Sequence, residues 1–187
     1  MLATAIAVHQ AAHAVIKQAL DLPVETVAVT VCGGEPSPGW ADPDVYCDDE
    51  HRLLAERHIT SLFAGAEAER RYRAVIGQDD DRAVEDAANG DIASAFHLAV
   101  FIATHPNADI GWARSEPALR LALGLPEPFG FPAVDITVAA ALLDRGRMSA
   151  ARLVEDRWLL VTNLATELVV LGGTISPDQV TRILAAR

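Results

Sequence analysis

The sequence predicts a mainly α-helical chain with a small β element early in it. Long segments rich in Ala, Leu, Glu and Arg carry apolar residues at helical spacing. The clearest strand pattern is 24–31, where Val27, Val29 and Val31 share one face. A length of 187 residues with 51% hydrophobic residues suffices for one well-buried core. We therefore expect a single domain over 1–187.

The first half of the chain divides into two long helices around the strand. Strong helix formers predict a first helix over 3–20, ended by Asp21 and Pro23. A loop rich in Gly and Pro follows the strand over 33–43 and carries Trp40. The second helix is predicted from Asp49 to about Ile76, because leucines and alanines there recur near helical spacing.

The second half is predicted to be helical except for its connectors. A short helical piece follows the acidic turn 79–81, and Asn89-Gly90 separates it from the next helix. A proline-rich connector covers 125–132. Ser176 and Gln179 form a capping box around Pro177, which marks the start of the last helix. The predicted helices cover 91–104, 115–123, 134–145, 149–171 and a short segment from Pro177.

Charge and composition exclude several functions. The net charge of −11 argues against binding nucleic acid, which requires clustered Lys and Arg. Lys17 is the only lysine and it follows Ile16, so the chain has no GxxxxGK[ST] loop and no ATP site of that kind.

The sequence also gives expectations about the compartment. No run approaches the roughly 18 to 20 apolar residues of a membrane span, and the N-terminus lacks the basic region of a signal peptide. Cys32 and Cys47 are too far apart for a CxxC motif, so we expect two reduced thiols. We expect a cytoplasmic protein.

A pair of histidines in the first helix is the strongest functional signal. His9 and His13 are four residues apart, so both imidazoles can face one metal ion. In the HExxH motif of zinc peptidases, the residue after the first His is a Glu that takes a proton from the attacking water. Here that residue is Gln10, whose amide cannot act as this base. From these residues alone, two histidines on a partly exposed helix face remain the alternative.

A catalytic zinc site needs a third protein ligand. The extended HExxHxxGxxH pattern would supply it as a histidine at position 19, after a glycine at position 16. Ile16 and Ala19 occupy these positions, so that class of peptidase is excluded. The third ligand must come from further along the chain.

Several segments, in the correct order, resemble the peptidase domain of the FtsH-type, AAA-linked zinc proteases. His9 to Val15 is similar to that family's HEAGHAV helix, and 27–31, followed by Gly33-Gly34 and Gly39-Trp40, is similar to its next strand. Ile59 to Glu69 resembles its GGRAAE helix, and Ala87 to Ala99 its GAxxDLxxATxxA segment. The stretch 153–184 resembles its closing helix, while 105–135 matches less well.

The resemblance implies zinc bound by His9, His13 and Asp91. Asp91 occupies the position of the Asp in the family's GAxxDLxxATxxA segment. Glu67 and Glu69 are the alternative third ligands, because some zinc peptidases take a Glu from the next long helix. Asp91 also has a structural interpretation as a helix N-cap. The resemblance further implies a metal-site portion over about 1–105 and a C-terminal helical portion over about 133–187.

Two departures from the family define the expected function. Gln10 replaces the catalytic Glu, and the ATPase module is not in this sequence. We therefore expect an ATP-independent zinc metallopeptidase-like protein that acts on a peptide or protein and is impaired or inactive with Gln10. The alternatives are a natural pseudopeptidase that serves as a peptide-binding module, and a zinc enzyme of other chemistry. We expect an extended peptide to pair with the strand edge at 26–32.

Overall fold

A computed structural model describes residues 4–29, 49–78, 80–103 and 136–186. These residues form seven helices and one two-stranded antiparallel sheet, which confirms the mainly α-helical fold class with a small β element. None of these helices is both long and apolar enough to cross a membrane. The helices are α1 (Ala5–Ala19), α2 (Asp49–Val75), α3 (Asp81–Ala87), α4 (Asn89–Ala103), α5 (Ile136–Asp156), α6 (Trp158–Val170) and α7 (Pro177–Ala185). The strands are β1 (Val27–Ala28) and β2 (Thr174–Ile175).

Some predicted features lie outside the described residues. They are the loop 33–43 with Trp40, both cysteines, the strand residues 30–32, Asp79, the helix at 115–123 and the connector 125–132.

Helix α1 is the buried centre of the fold, and its bounds confirm the predicted first helix. Its N-terminus is capped by Thr4, whose hydroxyl accepts a hydrogen bond from the Ala7 amide at 3.1 Å. It ends before Asp21, which adopts a left-handed φ of 55°. Every residue from Ala7 to Lys17 is buried except Gln10, which is half-buried. Its many alanines let α2 and α6 approach it closely from two sides.

Helix α2 is the long helix on which the rest of the structure packs. It contacts α1, α4 and α5 along its length, and its range confirms the prediction for 49–76. One apolar cluster lies around α1 and α6 and includes Val8 and Leu164. A second lies between α2, α4 and α5 and includes Ile59 and Leu98. The two clusters hold α2 from both sides.

The predicted strand finds its partner late in the chain. Val27 pairs with Ile175 and Ala28 with Thr174 in an antiparallel ladder, and the Val29 amide donates to the Gly173 carbonyl at 2.7 Å. Glycines at 172 and 173 have positive φ and turn the chain from α6 into β2. The predicted capping box then starts α7, with both of its hydrogen bonds formed.

Two predicted helix boundaries are wrong. The helices predicted over 134–145 and 149–171 are divided instead at Arg157, so Gly146 lies inside α5. A side chain at Gly146 would place its Cβ 2.5 Å from Cγ2 of Ile59. This glycine therefore allows α5 to approach α2 and does not interrupt the helix. Helix α4 likewise begins at Asn89, two residues before its predicted start.

We predict that Gly146→Ala destabilises the protein by about 1–3 kcal/mol, the usual cost of overpacking a core. In an exposed helix the same exchange would stabilise by about 1 kcal/mol, because alanine is the better helix former. Urea denaturation followed by circular dichroism measures the sign directly. A stabilised variant would contradict the close contact between α5 and α2.

Candidate metal centre

Three buried side chains from α1 and α4 converge at one point. The Nε2 atom of His9 lies 3.0 Å from Oδ2 of Asp91, and Nε2 of His13 lies 3.3 Å from the same oxygen. His9, His13 and Asp91 are only 1%, 5% and 7% exposed. Their ligand atoms all lie within 4.8 Å of one another, so this group could hold a metal ion.

Helix α2 fixes the orientation of both imidazoles. Nδ1 of His9 donates to Oε2 of Glu69 at 3.1 Å, and Nδ1 of His13 donates to the Ser61 carbonyl at 2.8 Å. An ionised carboxylate and a carbonyl can only accept, so each Nδ1 carries a proton. Each Nε2 is therefore directed at the common centre, as in metal sites whose histidines are held by outer hydrogen bonds.

The donor atoms suit a bound cation. Nδ1 of His13 is used by the Ser61 carbonyl, so Nε2 is the atom that faces the Asp91 carboxylate, and a metal cation between Nε2 and this carboxylate could take the place of a proton. Ligands in a tetrahedral zinc site lie about 3.4 Å apart at bond lengths near 2.1 Å. The contacts of 3.0 and 3.3 Å are close to that spacing. Two imidazole nitrogens and one carboxylate also leave a coordination position open, as in catalytic sites.

Gly65 lets the two imidazoles lie directly against α2. A Cβ atom at this position would lie 2.4 Å from Nε2 of His9 and 2.5 Å from Nε2 of His13. Any side chain there would occupy the space next to both ligand atoms. Only glycine allows α2 to pass this close to the site.

The charges at the centre are strongly coupled. Burial alone lowers the pKa of His9, but hydrogen bonds to Asp91 and Glu69 outweigh burial and raise the pKa to about 9. Burial raises the pKa of Asp91, yet the hydrogen bonds from His13 and His9 bring that pKa well below its ordinary value. The pKa of Glu69 is lowered in the same way, against burial, by His9 and Arg73.

The alternative third ligands occupy other places. Glu69 is in the site, but it binds Nδ1 of His9, on the opposite side of the ring from Asp91. Glu67 accepts hydrogen bonds from Arg70 and Arg147 at 2.8 and 3.0 Å. Asp91 lies within the first turn of α4, not at its N-cap, and its carboxylate faces the histidines.

Gln10, the residue in the position of the catalytic base, lines a small cleft beside His13. Lys17, Glu25 and Val27 also line this cleft, which lies between α1 and the segment leading into β1. Nothing in the local sequence pattern around Glu25 marks it as a residue of the cleft. For Lys17 the sequence does hold a signal for a place beside the histidines, since it lies four residues after His13 on the same helix face.

Gly65 and Ser61 were also not identified from the sequence. A glycine inside a helix of good formers is a signal, because it costs about 1 kcal/mol there without a packing reason. Ser61 contacts His13 through its backbone carbonyl, so the identity of its side chain does not indicate this role.

The chain was also compared with known proteins. No model of a protein family matches it, and no curated protein does.

We predict that Gly65→Ala prevents metal binding while the protein still folds. Changes in the outer shell of a metal site already weaken binding by about 10–100-fold, and a methyl group beside both ligand nitrogens should exceed that. Metal content after dialysis, measured by elemental analysis, tests this. Gly146→Ala is the matched control, because it adds the same methyl group to a helix contact away from the site. Equal metal content in Gly65→Ala and the wild type would contradict this role of Gly65.

We predict that the metal-free protein loses stability as the pH rises from 6.5 to about 9. The folded-state pKa of His9 lies above its ordinary value of 6.5, so its protonated form stabilises the fold. This contribution is complete below pH 6.5 and is lost as the pH rises through about 9. Metal affinity should rise over the same range, because the metal replaces the proton.

Thermal unfolding after chelation, and metal titrations at matched pH, measure these opposite trends. His9→Gln should remove the fall in stability. A wild-type melting temperature that stays constant or rises across this range would contradict the assignment.

Proposed function

We propose that this chain is a zinc metallopeptidase-like protein of the FtsH peptidase type that acts on peptides without ATP. The observation that carries the proposal is the convergence of Nε2 of His9, Nε2 of His13 and Oδ2 of Asp91 at one buried point. The hydrogen bonds that direct both imidazoles there add support. Peptidase activity is proposed because the sequence resembles the family's motifs.

Zinc is the proposed metal, held by His9, His13 and Asp91. Two imidazoles and one carboxylate with an open position form a common donor set for catalytic zinc. When bound, zinc would polarise a carbonyl group and make water more acidic. Glu69 and the Ser61 carbonyl orient the two imidazoles, and Gly65 lets both imidazoles lie against α2.

Gln10 determines how far the reaction can proceed. Its amide can hydrogen-bond to water or to a substrate carbonyl, but it cannot take up a proton near neutral pH. Losing a general base typically costs a factor of roughly 10² to 10⁴ in rate. We therefore propose that the protein with Gln10 binds peptide and hydrolyses it slowly, if at all.

The edge of β1 is the proposed place for an extended peptide. The Val29–Gly173 hydrogen bond shows that Val27 and Val29 direct their backbone groups towards β2. In an antiparallel ladder the residue between them, Ala28, directs its N–H and C=O to the opposite edge. Since Val27 lines the cleft with Gln10 and His13, a peptide paired with Ala28 would pass close to the metal centre.

The second candidate function is that of a pseudopeptidase that captures peptides without cleaving them. The specific observation in its favour is that the hydrogen bonds orienting His9 and His13 are formed, while the position of the motif Glu holds an amide. Both functions use the same cleft and the same metal. They differ in what restoring a carboxylate at position 10 would do.

We predict that Gln10→Glu raises hydrolysis of an unstructured peptide by about 10² to 10⁴, without ATP. Cleavage of a quenched fluorescent peptide library by zinc-loaded protein is the measurement. Gln18→Glu is the matched control, because Gln18 is an exposed residue of the same helix and the exchange adds the same charge. A folded, zinc-loaded Gln10→Glu variant without activity would favour the pseudopeptidase.

If the wild-type chain, with Gln10, hydrolyses peptides, a residue other than residue 10 must act as the base. Glu25 is the carboxylate that lines the cleft among the described residues. Wild-type turnover that disappears in Glu25→Gln, with zinc content unchanged, would assign the proton transfer to Glu25.

A further inference from the structure

A line of charged contacts connects the metal centre to the end of α2. Nε of Arg73 donates to Oε1 of Glu69 at 2.8 Å, and a terminal guanidinium nitrogen lies 2.8 Å from the same oxygen. The other oxygen of Glu69 accepts from Nδ1 of His9 at 3.1 Å. His9 in turn contacts Asp91 at 3.0 Å. Arg73 and the metal centre therefore use opposite oxygens of one carboxylate.

The burial along this line explains why Glu69 needs Arg73. The side chain of Glu69 is 2% exposed, and that of Arg73 is 22% exposed. A carboxylate so far from water requires charged partners that hold it in one orientation. Arg73 lies four residues after Glu69, so it reaches the carboxylate along one helix face while its guanidinium stays near solvent.

We propose that Arg73 is a positioning residue of the metal centre. By holding Oε1 of Glu69, Arg73 keeps Oε2 on Nδ1 of His9, and this contact fixes the tautomer and ring orientation that direct Nε2 at the metal. The inference rests on the proposed metal centre and adds a residue two contacts away from the metal. Loss of Arg73 leaves Glu69 free to turn, and His9 then loses its orientation.

For the removal of Arg73, the proposal predicts a change in metal affinity opposite in sign to the change expected from charge repulsion alone. Removing a positive charge near a bound cation should strengthen metal binding, because their mutual repulsion disappears. If Arg73 acts through Glu69 and His9, its removal should instead weaken binding by about 10-fold, the lower end of the range for outer-shell residues. The sign of the change separates the two effects.

Arg70→Ala is the matched control. Arg70 belongs to the same helix and loses the same charge, but it donates to Glu67 at 2.8 Å and to Asp81 at 2.9 Å, away from the histidines. Its removal reports the charge effect alone.

The experiment measures zinc affinity of the purified protein by competition with a chromophoric chelator, and ligand geometry by the visible spectrum of the cobalt-substituted protein. We expect Arg73→Ala to weaken zinc binding about 10-fold and to alter the cobalt spectrum. Arg70→Ala should bind zinc as well as the wild type or better. In a Glu69→Ala background, Arg73→Ala should have no further effect, because the two residues act in series.

Several results would overturn the inference. Arg73→Ala with wild-type or tighter affinity would do so, and so would an equal loss from Arg73→Ala with and without Glu69. If Arg73→Ala does not fold, Arg73→Met replaces it, because methionine keeps the packing of a long side chain. Unchanged zinc affinity in Arg73→Met would overturn the inference as well. A wild-type protein that binds no zinc would overturn the metal centre itself, which distinguishes the two failures.

Discussion

The contact of His9 with two carboxylates is the interaction on which the rest of the structure depends. It joins α1 to α2 through Glu69 and to α4 through Asp91, so one imidazole connects three helices. Charged groups this far from water are destabilising unless each has its partners. Here each carboxylate has them, through His9 and His13 on one side and Arg73 on the other. The centre therefore requires the three helices in one arrangement, which is also the arrangement that a metal needs.

Close packing of small residues makes this arrangement possible. Residues 61, 65, 69 and 73 follow one another at intervals of four along one face of α2. The first three adjoin the histidines of α1, and the fourth contacts Glu69. A carbonyl, a position without a side chain, a carboxylate and a guanidinium occur in that order. Gly65 and Gly146 allow α1 and α5 to approach α2 at two different points. The stability of the fold and the geometry of the centre thus share the same helix.

The proposed function rests on a centre that could hold a metal ion and on an amide in the position of the motif Glu. In the proposal, His9, His13 and Asp91 hold the metal, and hydrolysis requires a proton acceptor in addition. In this proposal Gln10 affects the second requirement alone, because it lines the cleft and is not one of the three proposed ligands. Both candidate functions place the peptide at the cleft and the β1 edge, so peptide binding does not distinguish a peptidase from a pseudopeptidase.

The sequence by itself determined the local structure and the most regular part of the site. Periodicity and caps gave α1, α2 and the capping box of α7, because these depend on residues within a few positions of one another. The spacing of His9 and His13 is likewise local. The resemblance to a known family brought Asp91 into the site from 78 residues beyond His13, where spacing alone gave no reason to choose it.

Only the tertiary structure decided the roles of residues whose neighbours are distant in sequence. It placed Glu69 on the outer nitrogen of His9, outside the group of three side chains that could hold a metal ion, and it paired β1 with a strand near the C-terminus. It also explained Gly146, which looks like a helix break in the sequence and is a close contact in the fold. A local pattern cannot state which helix passes within a few ångströms of another, because that distance is set by packing of the whole chain.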